Sequence, residues 1–209
     1  MANIYCIGRN YVNHAKELGN EVPKQPLLFS KPTHALARAD GSTYTYDYNK
    51  EDIHYELEIV LHIGKAVRPG DKVDDVVDKI GLGVDLTLRN LQSKLKEKGH
   101  PWLRAKGFPN SAILTNLWEF KGVEDCRNRL FSLYQNGNQV QCGSIRDMLF
   151  DFQAIIDECS TCFGLGKGDL IYTGTPEGVG SVEHGDHFVL KWDEEVVGSF
   201  QTQRSQSYQ

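Results

Sequence analysis

The chain has 209 residues, of which 40% are hydrophobic and 24% charged, and its formal net charge is −5. This length can bury one substantial core, and the composition excludes collagen-like, disordered and helical membrane-spanning classes. Charges of both signs are interspersed, so nucleic acid and an anionic membrane are not expected partners. Five irregularly spaced cysteines argue against a secreted disulfide framework, and the first residues lack a signal-peptide pattern. We therefore expect a cytoplasmic protein.

The N-terminal half predicts strands interrupted by short helices. Residues 3–7 predict a strand, and residues 10–18 predict a short helix. Apolar and polar residues alternate over residues 54–63, which predicts a strand with one buried and one polar face. A further strand over residues 80–85 leads into a helix over residues 87–98 that carries a stripe of leucines.

The C-terminal half predicts a hairpin, a helix and several short strands. Asn136-Gly137 is typical of a type I′ turn between two strands. Residues 147–162 predict a helix. The C-x-x-C segment Cys159–Cys162 at its end lacks the partners of a zinc or redox site, so we interpret it as buried packing. Strands outnumber helices without regular alternation, which favours a β-dominated α+β fold. We expect one catalytic domain over residues 1–200 and a frayed polar tail over residues 201–209.

Three acidic residues form a candidate metal site. Glu56 and Glu58 are two residues apart on a predicted strand, so their side chains point the same way, roughly 6.6 Å apart at their roots. Two carboxylates this close repel each other unless a cation lies between them, and Mg²⁺ prefers such oxygen ligands. Asp85 ends an apolar strand directly before a helix, where ligands often bind. The alternatives are an exposed polar face for the glutamates and a helix cap for Asp85.

Polar groups near this position could bind an anionic substrate. Arg89 and Gln92 share one face of the helix that follows Asp85, and Lys106 follows in a later segment. Three carboxylates around one Mg²⁺ leave a net negative charge, so an anionic ligand needs such cations. The glycine-rich segment Thr173–Gly180 offers backbone N–H groups and a threonine hydroxyl to a ligand carboxylate. Solvated side chains and a plain turn remain the alternatives.

His14 and Glu17 form a possible general-base pair. They are three residues apart on the first predicted helix, so their side chains can form a hydrogen bond. Such a carboxylate makes an imidazole more basic and able to take a proton from water. A surface ion pair with no catalytic role is the alternative.

Taken in order, these stretches resemble the fumarylacetoacetate hydrolase family, particularly its short acylpyruvase and oxaloacetate decarboxylase branch. The resemblance runs from residue 4 to about residue 190. The matching stretches are Gly8–Glu17, Leu28–Pro32, His54–Glu58, Val84–Gln92, Gly99–Lys106 and Tyr172–Gly180.

The resemblance implies a mixed β-roll core, usually in a homodimer, with the active site at its mouth. It implies Mg²⁺ or Mn²⁺ on Glu56, Glu58 and Asp85, and a lid helix that carries His14 and Glu17. The substrate-contacting positions of the family match Lys31, Arg89, Gln92, Lys106 and Thr175.

The sequence departs from the family pattern directly after Lys106. Family members commonly have a serine where this chain has Gly107, and Pro109 stiffens the following segment. We expect these changes to affect the pocket, and hence the substrate, more than the metal site.

The expected function is Mg²⁺-dependent hydrolysis of a C–C bond in a small acylpyruvate, with pyruvate enolate as the leaving group. His14, oriented by Glu17, would deprotonate the attacking water, and Arg89 and Lys106 would stabilise the enolate. Oxaloacetate decarboxylation and isomerisation of an unsaturated keto acid use the same electrophilic half of the site. The alternative from a different class is a non-catalytic metal-binding protein.

Overall fold

The computed structural model describes residues 2–13, 23–47 and 52–205. Strands dominate this part of the chain, which confirms the expected β-dominated α+β fold. The strands are β1 (Ile4–Gly8), β2 (Leu27–Lys31), β3 (Leu36–Arg38), β4 (Asp40–Tyr46), β5 (Ile53–Tyr55), β6 (Leu57–Ile63), β7 (Val77–Asp85), β8 (Thr87–Leu88), β9 (Ala112–Leu114), β10 (Trp118–Glu119), β11 (Phe131–Gln135), β12 (Asn138–Gly143), β13 (Leu170–Tyr172), β14 (Gly180–Ser181), β15 (His187–Trp192) and β16 (Glu195–Arg204). The helices are α1 (Val73–Val76), α2 (Arg89–Glu97), α3 (Leu103–Lys106), α4 (Val123–Arg127) and α5 (Phe152–Phe163).

The largest sheet has the order β2-β1-β13-β6-β7-β9-β3, with β10 also paired to β7. Its strand β6 is flanked by antiparallel partners on both sides. Six of its seven residues are buried, including Glu58 and Val60. An exposed polar face, the alternative for the glutamates, is therefore wrong for Glu58, because both faces of the sheet are covered here.

The predicted strand over residues 54–63 is two strands. Glu56 lies between β5 and β6, and β5 leaves the large sheet to join the small sheet β14-β5-β8. The following predicted helix also begins later than expected, because Thr87 and Leu88 form β8 opposite β5. Leu88 stands at the N-cap of α2 without a side-chain cap, so neither Asp85 nor Thr87 caps this helix.

A second sheet, with the order β12-β11-β15-β16-β4, packs an aromatic core. The rings of Phe188 and Phe200 stack at 4.8 Å between centroids, and both side chains are fully buried. Asn136 and Gly137 both have positive φ (53° and 84°), so the predicted hairpin between β11 and β12 is confirmed. Strand β16 pairs with β4 as far as Arg204, so residues 201–204 are strand rather than frayed tail.

Helix α5 starts at Phe152, five residues later than predicted, because a 3₁₀ turn over Ile145–Asp147 precedes it and the Asp151 side chain caps it. Cys159 is buried on this helix, while Cys162 is exposed. The packing interpretation of the C-x-x-C segment therefore holds for Cys159 and is wrong for Cys162. Among the described helices, none has the length and apolar character needed to span a membrane.

Candidate active site

Glu56, Glu58 and Asp85 meet at the centre of the large sheet. Each offers an oxygen atom that lies within 4.8 Å of the others, and all three residues are buried. The antiparallel pairing of β6 with β7 explains their meeting. The Asp85 N–H donates to the Glu56 carbonyl at 2.8 Å, and Glu58 lies opposite Gly83, two residues before Asp85.

Lys106 forms ion pairs with two of these three carboxylates. Its Nζ donates to Glu56 Oε2 and Asp85 Oδ2, both at 2.7 Å, and to Thr87 Oγ1 at 2.6 Å. Helix α3 and its packing bury the side chain almost completely. Burial alone would lower the pKa of Lys106, but the carboxylates of Asp85 and Glu56 outweigh it and raise that pKa to about 12. Lys106 therefore stays charged at neutral pH.

Lys31 approaches the cluster from behind, at the end of β2. Its Nζ lies 2.7 Å from Asp85 Oδ1 and donates to the carbonyl oxygens of Leu86 and Ser111 at 3.2 and 3.0 Å, and also to the carbonyl of Lys106. The contact with Asp85 Oδ1 lacks hydrogen-bond geometry, so this buried oxygen has no hydrogen-bond donor. Lys31 thus links Asp85 to the segment after α3.

Glu58 has the least compensated charge of the three carboxylates. The Gly174 N–H donates to its Oε2 at 2.7 Å. Burial raises the pKa of Glu58 well above its usual range, and the nearby carboxylates of Asp85 and Glu56 raise it further. Three buried carboxylates whose oxygen atoms lie within 4.8 Å of one another fit a hard divalent cation, which prefers all-oxygen ligands.

Arg89 and Gln92 line the open side of the cluster from helix α2. Arg89 Nη2 lies 2.5 Å from Glu56 Oε1, and Arg89 Nη1 donates to Gln92 Oε1 at 2.7 Å. Both residues border a cavity of about 110 Å³, together with Glu56, Glu58, Lys106 and Thr175. The structure therefore brings every predicted metal ligand and substrate-contacting residue together, with Lys31 and Asp85 behind the cavity wall.

Gln141, on β12, is a part of this site that the sequence did not reveal. Its Oε1 accepts from the Leu57 N–H at 2.8 Å, between the two glutamates, and its Nε2 donates to Thr175 Oγ1 at 2.9 Å. The buried Gln141 amide thus holds both the break between β5 and β6 and the Thr175 hydroxyl in position. Gln141 is identified only by its contacts with residues far away in the sequence, so no local pattern could have indicated its role.

The predicted lid residues His14 and Glu17 lie outside the described residues. The segment before them is anchored to the glycine-rich loop. Asn10 Nδ2 donates to the Thr173 carbonyl at 2.8 Å, and Asn13 Nδ2 donates to Glu177 Oε1 at 3.0 Å. Gly174 has a φ of +99°, and a Cβ there would lie 2.6 Å from the Cβ of Asn10, so this close approach requires glycine.

Gly107 has a packing role. A Cβ at this position would lie 2.6 Å from Pro32 Cδ and 2.9 Å from the Leu103 carbonyl oxygen. Neither Gly107 nor Pro109 borders the cavity. The expected effect of these two residues on the pocket is therefore indirect at most, through the position of helix α3.

Comparisons with known proteins identify relatives of this chain. The model of the fumarylacetoacetate (FAA) hydrolase C-terminal family matches residues 3–203. Oxaloacetate tautomerase YcgM of Escherichia coli K12 is 37% identical over 199 residues, covering 92% of this chain and 89% of its own. A mitochondrial oxaloacetate decarboxylase of Dictyostelium discoideum is 36% identical over 184 residues, covering 87% and 84%.

A solved structure extends the comparison to a bound metal. Fumarylpyruvate hydrolase from Pseudomonas aeruginosa, in complex with Mn²⁺ and pyruvate, superposes with a TM-score of 0.90 at 32% identity. The match covers 98% of this chain and 91% of that chain. The family match over nearly the full length, the identities and the shared fold lead to one conclusion: the chain belongs to the fumarylacetoacetate hydrolase family.

Proposed function

We propose that the chain is a metal-dependent enzyme that stabilises the enolate of a small 2-keto acid, with oxaloacetate as its first candidate substrate. The observation that carries the proposal is the buried set of three carboxylates directly beside Lys106 and Arg89. Two cations held in place by ion pairs can stabilise an anion without reorganisation, which is the largest single effect in many enzymes.

Glu56, Glu58 and Asp85 would hold Mg²⁺ or Mn²⁺, and the cation would act as a Lewis acid toward the keto acid. Lys106 and Arg89 each contact Glu56, so they are fixed at the edge of this site. Their charges would stabilise the enolate oxygen and the substrate carboxylate. Gln92 orients the Arg89 guanidinium, and Gln141 holds the Thr175 hydroxyl toward the cavity.

Oxaloacetate ranks first because relatives at 36–37% identity are named for it. Keto–enol tautomerisation moves a proton from C3 to the C2 oxygen, and decarboxylation replaces that proton loss with loss of CO₂. Tautomerisation passes through the enolate of oxaloacetate and decarboxylation through the enolate of pyruvate, so both place negative charge on the C2 oxygen, and neither requires an attacking water. Tautomerisation was not among the reactions expected from the sequence, which were hydrolysis, decarboxylation and isomerisation of an unsaturated acid.

Hydrolysis of an acylpyruvate is the second candidate. It is supported by the likeness to a fumarylpyruvate hydrolase that binds pyruvate, the product such a cleavage would release. This reaction needs a base to activate water, and His14 with Glu17 remains our proposal for that role. Activity would then depend on both residues, whereas enolate stabilisation depends on Lys106 and Arg89.

The test is a panel of substrates assayed with Mg²⁺ and with Mn²⁺. We expect the enol of oxaloacetate to be consumed, as measured by loss of its ultraviolet absorbance. Pyruvate formation is measured separately to detect decarboxylation, and acylpyruvates are followed by loss of their enol absorbance. Glu58→Gln is the control and should abolish metal-dependent turnover. Full activity in that variant, or no turnover of any keto acid by the wild type, would refute the proposal.

A cytoplasmic location and a homodimer also remain proposals. Both derive from the sequence and its family resemblance. Analytical ultracentrifugation of the purified chain would test the assembly, with a dimer near twice 23.6 kDa expected. A monomer at micromolar concentration would contradict it.

A further inference from the structure

A second cavity, of about 400 Å³, lies where helices α1, α4 and α5 meet the 3₁₀ turn over Ile145–Asp147. We call it the helix cavity. Of the described residues, none borders both the helix cavity and the cavity beside the three carboxylates. Its volume is typical of sites for small organic ligands, and the proposed chemistry does not use it.

The floor of the helix cavity is apolar. Val73 and Phe152 are buried, and the other apolar side chains are half-buried and pack against the same core. The apolar residues that border the cavity are Val73, Val123, Ile145, Met148 and Phe152. This floor would remove a hydrocarbon tail from water, which favours binding of a ligand with an apolar part.

The rim of the helix cavity is charged, with more cations than carboxylates. Its charged residues, all exposed, are Lys72, Arg127, Arg146, Asp74 and Asp151. Both carboxylates already accept a hydrogen bond from the main chain. Asp74 Oδ1 accepts from the Val123 N–H at 3.0 Å, and Asp151 Oδ1 accepts from the Ala154 N–H at 2.9 Å.

Two of the three cations on the rim have no anionic partner among the described residues. Arg127 Nε lies 3.1 Å from Glu124 Oε2, so its charge is compensated. The Arg146 guanidinium donates to the side-chain oxygen of Asn128, which is neutral. Lys72 forms no ion pair within the described part of the chain. A carboxylate on the ligand would supply the missing anion, and the planar guanidinium of Arg146 matches its geometry.

The main chain beside the helix cavity leads to the metal site. Met148 forms a β-bridge with Tyr11, and the N–H groups of residues 149 and 150 donate to the main-chain and side-chain oxygens of Asn10, both at 2.8 Å. Asn10 packs against Gly174, whose N–H donates to Glu58 at 2.7 Å. A ligand that fixes Met148 would therefore also order the main chain that positions Glu58.

We infer that the helix cavity binds a small carboxylate with an apolar tail, and that its occupancy strengthens metal binding. The tail lies against the apolar floor and the carboxylate on Arg146. Binding at this cavity does not depend on the proposed function. The coupling does rest on it, because it assumes that Glu58 holds the metal. Coupling between two sites is reciprocal, so Mg²⁺ strengthens binding of the carboxylate by the same factor.

Binding can be observed directly at the cavity. The chain has two methionines, Met1 and Met148, so protein labelled with ¹³C in the methionine methyl groups gives one NMR signal from the cavity, assigned with Met148→Leu. Hexanoate, acetate and hexylammonium are titrated into the Mg²⁺-loaded protein with saturating oxalate, which occupies the metal. Hexanoate should shift the Met148 signal and bind about 10- to 100-fold more tightly than acetate, which lacks the tail. Hexylammonium, with a tail of the same length and the opposite charge, should bind about tenfold more weakly than hexanoate.

Three variants test the position of the ligand. Arg146→Gln, at an exposed residue, should weaken hexanoate about tenfold and abolish its preference over hexylammonium. Val123→Phe fills the cavity and should abolish binding. Lys121→Gln is the control, because it removes an exposed charge two residues before Val123 that does not border the helix cavity. Its Kd for hexanoate should equal that of the wild type.

The coupling is measured by titration calorimetry with Mg²⁺ in the absence of oxalate. Hexanoate should lower Kd for Mg²⁺ about fivefold in the wild type and leave it unchanged in Val123→Phe. Acetate, which carries the same carboxylate, should have no effect and so controls for direct binding at the metal.

An unchanged Met148 signal, or equal affinity for hexanoate and hexylammonium, would refute the binding site. A shift that persists in both Arg146→Gln and Val123→Phe would also refute it, since hexanoate would then bind elsewhere. An unchanged Kd for Mg²⁺ would refute the coupling and leave the proposed function standing. A protein that binds no Mg²⁺ at all would refute the proposed function and the coupling together.

Discussion

Two buried clusters in the described part of the chain are built in opposite ways. Beneath the second sheet, Phe188, Phe200 and Tyr55 pack ring against ring, with centroid distances of 4.8 and 5.5 Å. At the centre of the large sheet, three carboxylates and two lysines are equally hidden from solvent. The first cluster stabilises the fold by removing apolar surface from water. The second removes charges from water, which costs free energy that ion pairs repay only in part.

The contrast indicates that the aromatic cluster stabilises the fold and that the charged cluster has a functional role. A charged cluster at the centre of a sheet is a poor way to stabilise a domain, because apolar residues of similar volume often do so better. Its presence at the centre of the sheet therefore points to a function that requires charge. Substitutions should separate the two roles, since the aromatic cluster should govern unfolding and the charged cluster should govern binding and turnover.

The largest effect is expected in the aromatic cluster. Phe200→Ala removes a fully buried ring and should lower the free energy of unfolding by about 3–5 kcal/mol. Urea denaturation measures this loss, and the folded fraction should keep its Kd for Mg²⁺. Phe163→Ala, at a ring that is 54% exposed, is the matched control and should cost much less. Comparable losses in both variants would contradict the assigned role of the aromatic core.

In the charged cluster, Lys106→Met should lower kcat for oxaloacetate about 10²- to 10³-fold, because it removes a fixed cation beside the developing enolate. The hydrogen bonds to Glu56, Asp85 and Thr87 are lost as well. Steady-state kinetics at saturating metal would measure the change. Lys98→Met, at an exposed lysine beyond the end of α2, is the control and should retain wild-type kcat. A similar loss of kcat in that variant would contradict a specific role of Lys106.

Gln141→Leu tests the connection between the two glutamates and the glycine-rich loop. The Leu57 N–H would lose its acceptor and the Thr175 hydroxyl its donor, at a cost of about 1–3 kcal/mol in stability. We expect Kd for Mg²⁺ to rise roughly tenfold because Glu56 and Glu58 flank Leu57. Gln139→Leu, on the exposed part of the same strand, is the control. Loss of stability with unchanged metal affinity would make Gln141 a purely structural residue.

The smallest expected effect is a gain in stability, whereas the substitutions above cause losses. Glu58→Gln removes a charge from among three carboxylates and should stabilise the metal-free protein by roughly 1–3 kcal/mol, or a few degrees in Tm. Because folding raises the pKa of Glu58, wild-type stability in EDTA should fall as pH rises through that raised pKa. The variant should lack this decline, and Mg²⁺ should raise its Tm less. If Glu58→Gln were less stable than the wild type in EDTA, the three carboxylates would not destabilise the metal-free protein, and this prediction would be wrong.

Local sequence patterns predicted the parts of the site that depend on neighbours in the chain. Strand alternation brought Glu56 and Glu58 together, and the strand-to-helix junction singled out Asp85. Neither pattern showed that the strand breaks at Glu56, because that break depends on β8 and β14 pairing with β5. Hydrophobic periodicity also could not show that the polar face of β6 is buried, since that burial depends on what covers the sheet.

The remaining site residues depend on contacts between distant parts of the chain. Lys31 reaches Asp85 across 54 residues, and the family resemblance, rather than any local pattern, indicated it. Gln141 reaches Leu57 across 84 residues and went unnoticed. Pairing across such distances leaves no periodic trace in one sequence, so only the fold reveals it.

The parallel pairing of β1 with β13 has a consequence for how the chain folds. Ile4 lies opposite Leu170, so β1 can pair with β13 only after the 166 residues that follow Ile4 have been synthesised. The link from β1 to β6 passes through β13, and Glu58 depends on the Gly174 N–H. Such high contact order slows folding. We expect a chain released after residue 165 to remain protease-sensitive and unable to bind Mg²⁺; protection of that fragment from proteolysis would contradict this order of assembly.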